Sequence, residues 1–454
     1  VTVLVLDGAA VVTMDAERTE HRTAYVVVRD QRIAEVVEGR APEEARRAAD
    51  RVVDAAGCLL TPGLVNTHHH LYQWATRGRA VDSTLFEWLT ALYPVWAGID
   101  EDVVRASSTA ALGWLARTGC TTTTDHHYVF PRGAGDLLAA EVAAAADVGL
   151  RFHPTRGSMD LGASQGGLPP DEVVEDLDEI LMATESAIGR FHDPAPDSMV
   201  RVAVAPCSPF SVTGKLMTEA ASLARRHGVR LHTHLAETRD EEAYCRERFG
   251  ATPTEYVESL GWLGDDVWMA HAVHLDDAAV ARFAVTGTGV AHCPSSNARL
   301  GAGVARVGDL RAAGVAVGLG VDGAASNEAS SLLEEVRHAV LFARAAGGPT
   351  ALAVRDAVEM ATVGGARVLG RSEEIGSVEP GKLADLALWR LDTLPHAGID
   401  DPVAALVLGA PPPLELLLVG GRPVVERDRL VTLDEAELAR RAEAAARTLE
   451  ARAT

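Results

Sequence analysis

Short apolar runs alternate with longer amphipathic ones through the middle of the chain. From residue 61 to about 370, apolar segments of strand length are each followed by an Ala-rich segment with helical spacing or by a long loop. That rhythm is the pattern of repeated βα units and a parallel sheet. Eight strand candidates stand out, at residues 64–70, 121–127, 151–159, 200–209, 230–237, 267–275, 289–297 and 316–327. Each ends in polar or catalytic-type residues. Eight such units predict an α/β fold of the (β/α)8 TIM-barrel type, with the active site at the C-terminal ends of the strands. The rival, a doubly wound sheet, lacks a Gly-rich phosphate fingerprint after its first strand.

The two ends of the chain read differently. Short β-branched runs occupy residues 1–6, 9–14, 24–29 and 32–37, and again 384–391, 414–419, 422–426 and 430–432. Residues 41–49 read as helix, and residues 433–453 as an amphipathic helix rich in Ala, Glu and Arg. The expected division is a β-sandwich part in 1–60, the barrel in 61–370, and the second sandwich part with a C-terminal helix in 371–454. Both ends would then form one small β-sandwich beside the barrel.

Composition narrows the function classes. A chain of 454 residues with 47% hydrophobic and 23% charged residues is globular. Its net charge of −22 argues against binding a phosphate backbone, so no nucleic-acid partner is expected. No apolar run reaches membrane-spanning length unbroken. The first residues carry no basic stretch of the kind that opens a secretory signal, and the expected location is cytoplasmic. Cys58, Cys120, Cys207, Cys245 and Cys293 are scattered without a CxxC, which suits a reducing compartment. A homo-oligomer acting on a small molecule is expected.

Two insertions interrupt the barrel rhythm. Residues 71–100 hold Tyr72, Trp74, Phe86, Trp88, Tyr93 and Trp96. They form either a hydrophobic cover on the barrel rim or a wall on which a flat ring stacks. Residues 157–171 contain Gly157, Gly162, Gly166 and Gly167, a composition that suits a mobile loop over the site.

The strand ends carry the chemistry. The first candidate ends His68-His69-His70. Alternate side chains share a face of a strand, so His68 and His70 point together and His69 points away. The fifth ends His232-Thr-His-Leu-Ala-Glu237, the sixth Met269-Ala-His-Ala-Val-His274, and the eighth Gly320-Val-Asp-Gly323. Without paired cysteines, a metal here takes imidazole and carboxylate ligands, which fits one divalent ion, Zn2+ or alternatively Fe2+. A carboxylate beside such an ion, and not ligating it, can move a proton. Glu237 is the candidate. The plainer alternatives are a helix N-terminal acid for Glu237 and a turn residue for Asp322.

These runs, from Thr61–His70 through His232–Glu237, Met269–His274 and His292–Asn297 to Gly320–Asn327, resemble the amidohydrolase superfamily over nearly the whole chain. The branch resembled deaminates purines, pterins and triazines. Asn66–Gln73, Thr124–Tyr128, Thr155–Met159, Gly166–Pro170 and Pro206–Phe210 are most similar to the 8-oxoguanine deaminases. The resemblance implies one metal on His68, His70, His234 and Asp322. It implies that Glu237 shuttles a proton, that His271 orients the attacking water, that Asp322 takes the second proton, and that Gln73 contacts substrate. The implied reaction is hydrolysis of a free oxidised purine, 8-oxoguanine giving urate and ammonia. The alternatives are guanine, isoxanthopterin or isocytosine deamination, or an s-triazine hydrolase. Only Lys215 and Lys382 occur in the chain. Neither falls at the end of the fourth strand, where two-metal relatives carry a bridging lysine, so a single metal follows. His127 and Tyr128 at the end of strand two, and Arg156 at the end of strand three, are further candidates for holding substrate edges. For Arg156 the alternative is a salt bridge bracing the Gly-rich loop. His69, His232 and His274 match no ligand position.

Overall fold

The computed structural model describes residues 2–453. Eight parallel strands close into a barrel: Leu64–Asn66, Cys120–His127, Arg151–Ser158, Ala203–Pro206, Leu231–Leu235, Val267–His271, Gly289–His292 and Val317–Leu319. The ring closes where Leu319 pairs with Asn66. All eight match the strand candidates, and helices separate most of them, so the fold is the (β/α)8 barrel.

The first and last strands are shorter than the hydrophobic pattern suggests. The barrel strand stops at Asn66, and His69–His70 pairs instead with Asp322–Gly323 in a separate two-stranded piece above the rim. Asn66 explains the break. Its side chain donates to Thr123 Oγ1 (2.9 Å) and accepts from the Val321 amide (2.9 Å), replacing ladder bonds on both sides. The chain is thereby turned over the barrel mouth with the histidines on it.

The chain ends join in one nine-stranded sheet. They meet where Cys58–Pro62 runs antiparallel to Leu386–Arg390, with Leu60 opposite Leu388. The two runs expected at 1–6 and 9–14 are one strand, Val3–Val12, whose pairing shifts register around Gly8 at φ +90°. Val1 lies outside the described residues. Leu4, Leu6, Val26 and Val28 from one end pack with Leu386, Leu388, Leu416 and Leu418 from the other. Each fully buried side chain of this kind contributes roughly 1.5–3 kcal/mol, so the ends are held by burial as well as by the ladder.

The terminal helix, Glu435–Ala453, packs on the barrel. Leu438, Ala445 and Leu449 share one helical face and enter the barrel's hydrophobic cluster. Arg117 bonds Glu435 (2.7 Å), and Arg452 bonds the Gly98 carbonyl (2.8 Å). No described helix is long and apolar enough to cross a membrane.

A candidate metal centre at the mouth of the barrel

Three imidazoles converge at the strand ends, and their outer hydrogen bonds fix which nitrogen is bare. His70 Nδ1 lies 2.7 Å from the His126 carbonyl, and His234 Nδ1 lies 2.7 Å from the Cys207 carbonyl. A carbonyl only accepts, so each Nδ1 carries the proton and each Nε2 a lone pair. Those two Nε2 atoms face each other at 3.1 Å. His232 Nδ1 donates to the Trp268 carbonyl (2.9 Å), so His232 Nε2 accepts the proton of His68 Nδ1 (2.8 Å). His68 Nε2 is therefore bare as well, and it is buried without a hydrogen-bond partner. Asp322 Oδ1 stands 3.3 Å from His68 Nε2 and 3.2 Å from His70 Nε2.

Lone pairs crowded in this way repel unless a cation sits among them. Nitrogens on one tetrahedral zinc, each about 2.1 Å from it, stand roughly 3.4 Å apart. The donor set therefore fits one divalent metal ion. Burial drives His68 down to about 3 and His234 well below its ordinary value, which keeps both rings neutral and free to ligate. Asp322 Oδ1 faces those bare nitrogens and adds a carboxylate oxygen to the same donor set. Its second oxygen accepts from Ser296 (2.6 Å) and Ser326 (3.2 Å). His69 is buried but turned away, its Nδ1 accepting the His70 amide (2.8 Å).

Strained backbone aims these groups. Ala236 (φ +52°), His271 (φ +71°), Ala272 (φ +49°) and Asp322 (φ +62°) are all left-handed without being glycine, at about 1–3 kcal/mol each. All four lie at strand ends around the mouth. His271 Nε2 lies 3.5 Å from Glu237 Oε2 and 4.0 Å from Asp322 Oδ2. Burial, with the nearby charge of Asp322, pushes Glu237 well above the usual carboxyl range.

A cavity opens onto these residues. His70, His234, Glu237, His271 and Asp322 form its floor, and Gln73, Tyr128 and Ser326 line it too. Leu85, Trp88, Leu89 and Tyr93 make one wall, from the helix Leu85–Trp96. The aromatic insertion is thus both rim packing and wall: Tyr72 and Trp96 are buried in the core, while Trp88 and Tyr93 face the cavity. Gln73 Oε1 is buried without a partner, and its amide lies 3.4 Å from the Tyr128 hydroxyl. Gly323 makes room for it, since a Cβ there would fall 1.7 Å from Gln73 Oε1.

Two expected substrate residues are not brought to the cavity. His127 Nε2 meets the Val129 carbonyl (2.8 Å) and Nδ1 meets Glu141 (2.7 Å), so both ring nitrogens are occupied behind the wall. Along the strand, His126 faces the barrel interior and His127 the helices, which sequence order alone does not reveal. Arg156 pairs with Glu175 (2.6 Å) and lies 3.6 Å over the Phe130 ring, bracing the segment beyond strand three. That segment is itself anchored. The Leu161 and Leu168 amides bond the carbonyls of Ser211 (3.2 Å) and Phe210 (3.1 Å), and Tyr244 reaches the Gly166 carbonyl (3.3 Å). His126, unremarked in the sequence, stacks 4.8 Å from His234, and its Nδ1 is buried without a partner. Its strand position opposite His127 was the available signal.

Comparison with known proteins agrees with this geometry. The amidohydrolase family matches residues 59–424. The 8-oxoguanine deaminase of Pseudomonas aeruginosa is 45% identical over 426 residues, 93% of this chain and 94% of that one. An isoxanthopterin deaminase from an unknown prokaryotic organism is 39% identical over 420 residues, 87% of this chain and 86% of its own. The crystal structure of atrazine chlorohydrolase from Arthrobacter aurescens TC1, complexed with zinc, superposes with a TM-score of 0.93 at 33% identity, covering 98% of this chain and 100% of that one. A closed barrel with a second sheet beside it, a donor set for a divalent ion, and these matches over most of its length lead to one conclusion: the chain is an enzyme that belongs to the amidohydrolase family.

Proposed function

We propose that this enzyme is a hydrolytic deaminase of a free oxidised purine, converting 8-oxoguanine and water to urate and ammonia. His68, His70, His234 and Asp322 would hold one divalent ion, with zinc the reading favoured by the zinc-bound relative. When bound, the ion supplies Lewis acidity, which makes water a nucleophile at neutral pH.

The observation that carries the reading is the placing of Glu237, His271 and Asp322 around one cavity beside that donor set. Water adds to the ring carbon that bears the amino group. Glu237 takes the proton of the attacking water and hands it to the neighbouring ring nitrogen. His271 orients the water. Asp322 takes the second proton and returns it to the departing amine as the carbon–nitrogen bond breaks. Gln73 and Tyr128 offer polar groups to a substrate edge, and Trp88 and Tyr93 offer faces to its ring.

The similarity to an 8-oxoguanine deaminase supports the choice of substrate. The second reading, displacement on a triazine, is favoured by the likeness to the atrazine chlorohydrolase. The Glu237 and Asp322 pair speaks for ammonia, because an amine leaves only when protonated. The test is ammonia release from 8-oxoguanine, guanine, isoxanthopterin, isocytosine and amino-triazines. 8-Oxoguanine should lead, and comparable rates on all five would defeat the narrow assignment.

A further inference from the structure

One buried carboxyl group beside the centre reaches neither cavity nor donor set. Glu241 is fully buried in the first turn of the helix Arg239–Phe249. One of its oxygens accepts the Ala236 amide (2.8 Å) and the other the Glu237 amide (3.1 Å). Ala236 is the left-handed residue between His234 and Glu237. Such a conformation in a non-glycine residue persists only when its surroundings over-determine it. The surroundings here act from both sides. While Glu241 takes the amide of Ala236, the Ala236 carbonyl accepts from the amides of Val273 (3.0 Å) and His274 (2.9 Å). Those amides directly follow the second strained turn, His271–Ala272. The two turns are therefore locked to each other through one peptide, and the side chains they carry, Glu237 and His271, meet at 3.5 Å.

We propose that Glu241 is a positioning residue of this centre: it clamps the Ala236–Glu237 backbone so that Glu237 and His271 stand in register, and it thereby sets turnover without setting substrate or metal binding. The inference rests on the reading of Glu237 as the proton carrier. Each of the two neighbouring amides meets its own oxygen of the one carboxyl group. Gln keeps the reach with one acceptor. Asp keeps the charge but is one methylene short.

The test compares Glu241→Asp and Glu241→Gln with the unaltered enzyme, on the heterocycle it deaminates fastest. Glu241→Asp should lower kcat by about 100-fold, the cost of misplacing a reacting group by roughly an ångström. KM should stay within about threefold and metal per chain should be unchanged. Glu241→Gln should stay within about tenfold of the unaltered kcat, since one of the two bonds survives. Hydrogen exchange at the amides of residues 236 and 237 should quicken most in Glu241→Asp. The proposal is overturned by an unchanged kcat in Glu241→Asp, by a loss that appears in KM or metal content instead, by Glu241→Gln being the slower variant, or by unaltered exchange. If Glu241→Asp does not fold, Glu241→Gln and its exchange rates decide. If the unaltered enzyme releases ammonia from no heterocycle, the functional reading fails, while the exchange rates still judge the clamp.

Discussion

Two buried clusters of histidine and carboxylate lie close together in this barrel. One is His68, His70, His234 and Asp322; the other is Asp125, His127 and Glu141, every one of them buried. By residue type and burial either could hold a metal. They differ in where the protons point. At the first, each ring gives its proton outward, to a carbonyl or to His232, and turns a lone pair inward beside an open cavity. At the second the bonds close on themselves. His127 gives its Nε2 proton to Val129, its Nδ1 faces Glu141 at 2.7 Å, and Asp125 accepts the Leu71 amide at 2.6 Å. None of Asp125, His127 and Glu141 lines the cavity beside the first cluster. Burial pushes Glu141 up to about 8 and Asp125 well above its ordinary value, so these carboxyls tend to keep their protons. A donor cluster becomes a metal site when its protons are committed elsewhere and its lone pairs share an accessible focus. The second cluster instead braces the turn that follows His70.

That contrast can be broken most sharply with the metal itself. Chelation should abolish turnover, zinc should restore it, and the purified enzyme should carry about one divalent ion per chain. Two tightly held ions per chain would make the second cluster a metal site after all. Next in size, Glu237→Gln should cost about 10² to 10⁴ in kcat with the ion retained. An active variant would remove Glu237 from the proton path. His232→Phe takes away the acceptor that fixes the His68 tautomer, and metal affinity should fall about 10- to 100-fold in chelator competition. An unchanged affinity would show that His68 needs no such support.

The smallest effect belongs to the second cluster. Glu141→Gln should leave the metal content unchanged and alter stability only. Between an unfolded value of 4.5 and a folded value of about 8, native Glu141 holds a proton that the unfolded chain has lost. Wild-type stability therefore falls as pH rises through that window. The amide cannot titrate, so the variant should gain on the wild type from about pH 5 to about pH 8 in urea unfolding. A flat difference would mean that Glu141 is ionised in the native protein.

Much of the candidate centre is legible in the sequence, and the departures from that reading have a common cause. His68, His70, His234, Glu237, His271 and Asp322 sit at strand ends, and the barrel rule sends strand ends to one face. Gln73 and Tyr128 reach the cavity as expected. His127 and Arg156 also sit at strand ends and do not reach it. Period-two alternation says that neighbours oppose each other but not which one faces inward. The same ambiguity hides His126, which stacks on His234. The terminal helix carried a clear apolar stripe, yet the stripe does not name its partner, and it packs on the barrel.

By itself the sequence determined the repeat of βα units, the β character of both chain ends, and the set of imidazoles and carboxylates available to a metal. Those follow from side-chain period and residue chemistry, which are local. Only the tertiary structure decided which nitrogens are bare, because that depends on carbonyls and rings brought from other strands: His126, Cys207, Trp268 and His232. It alone turned His69–His70 off the barrel strand to pair with Asp322–Gly323. It also set the left-handed turns that bring Glu237 to His271. Long-range hydrogen bonds fix proton positions and backbone strain, and no spacing along a chain encodes them directly.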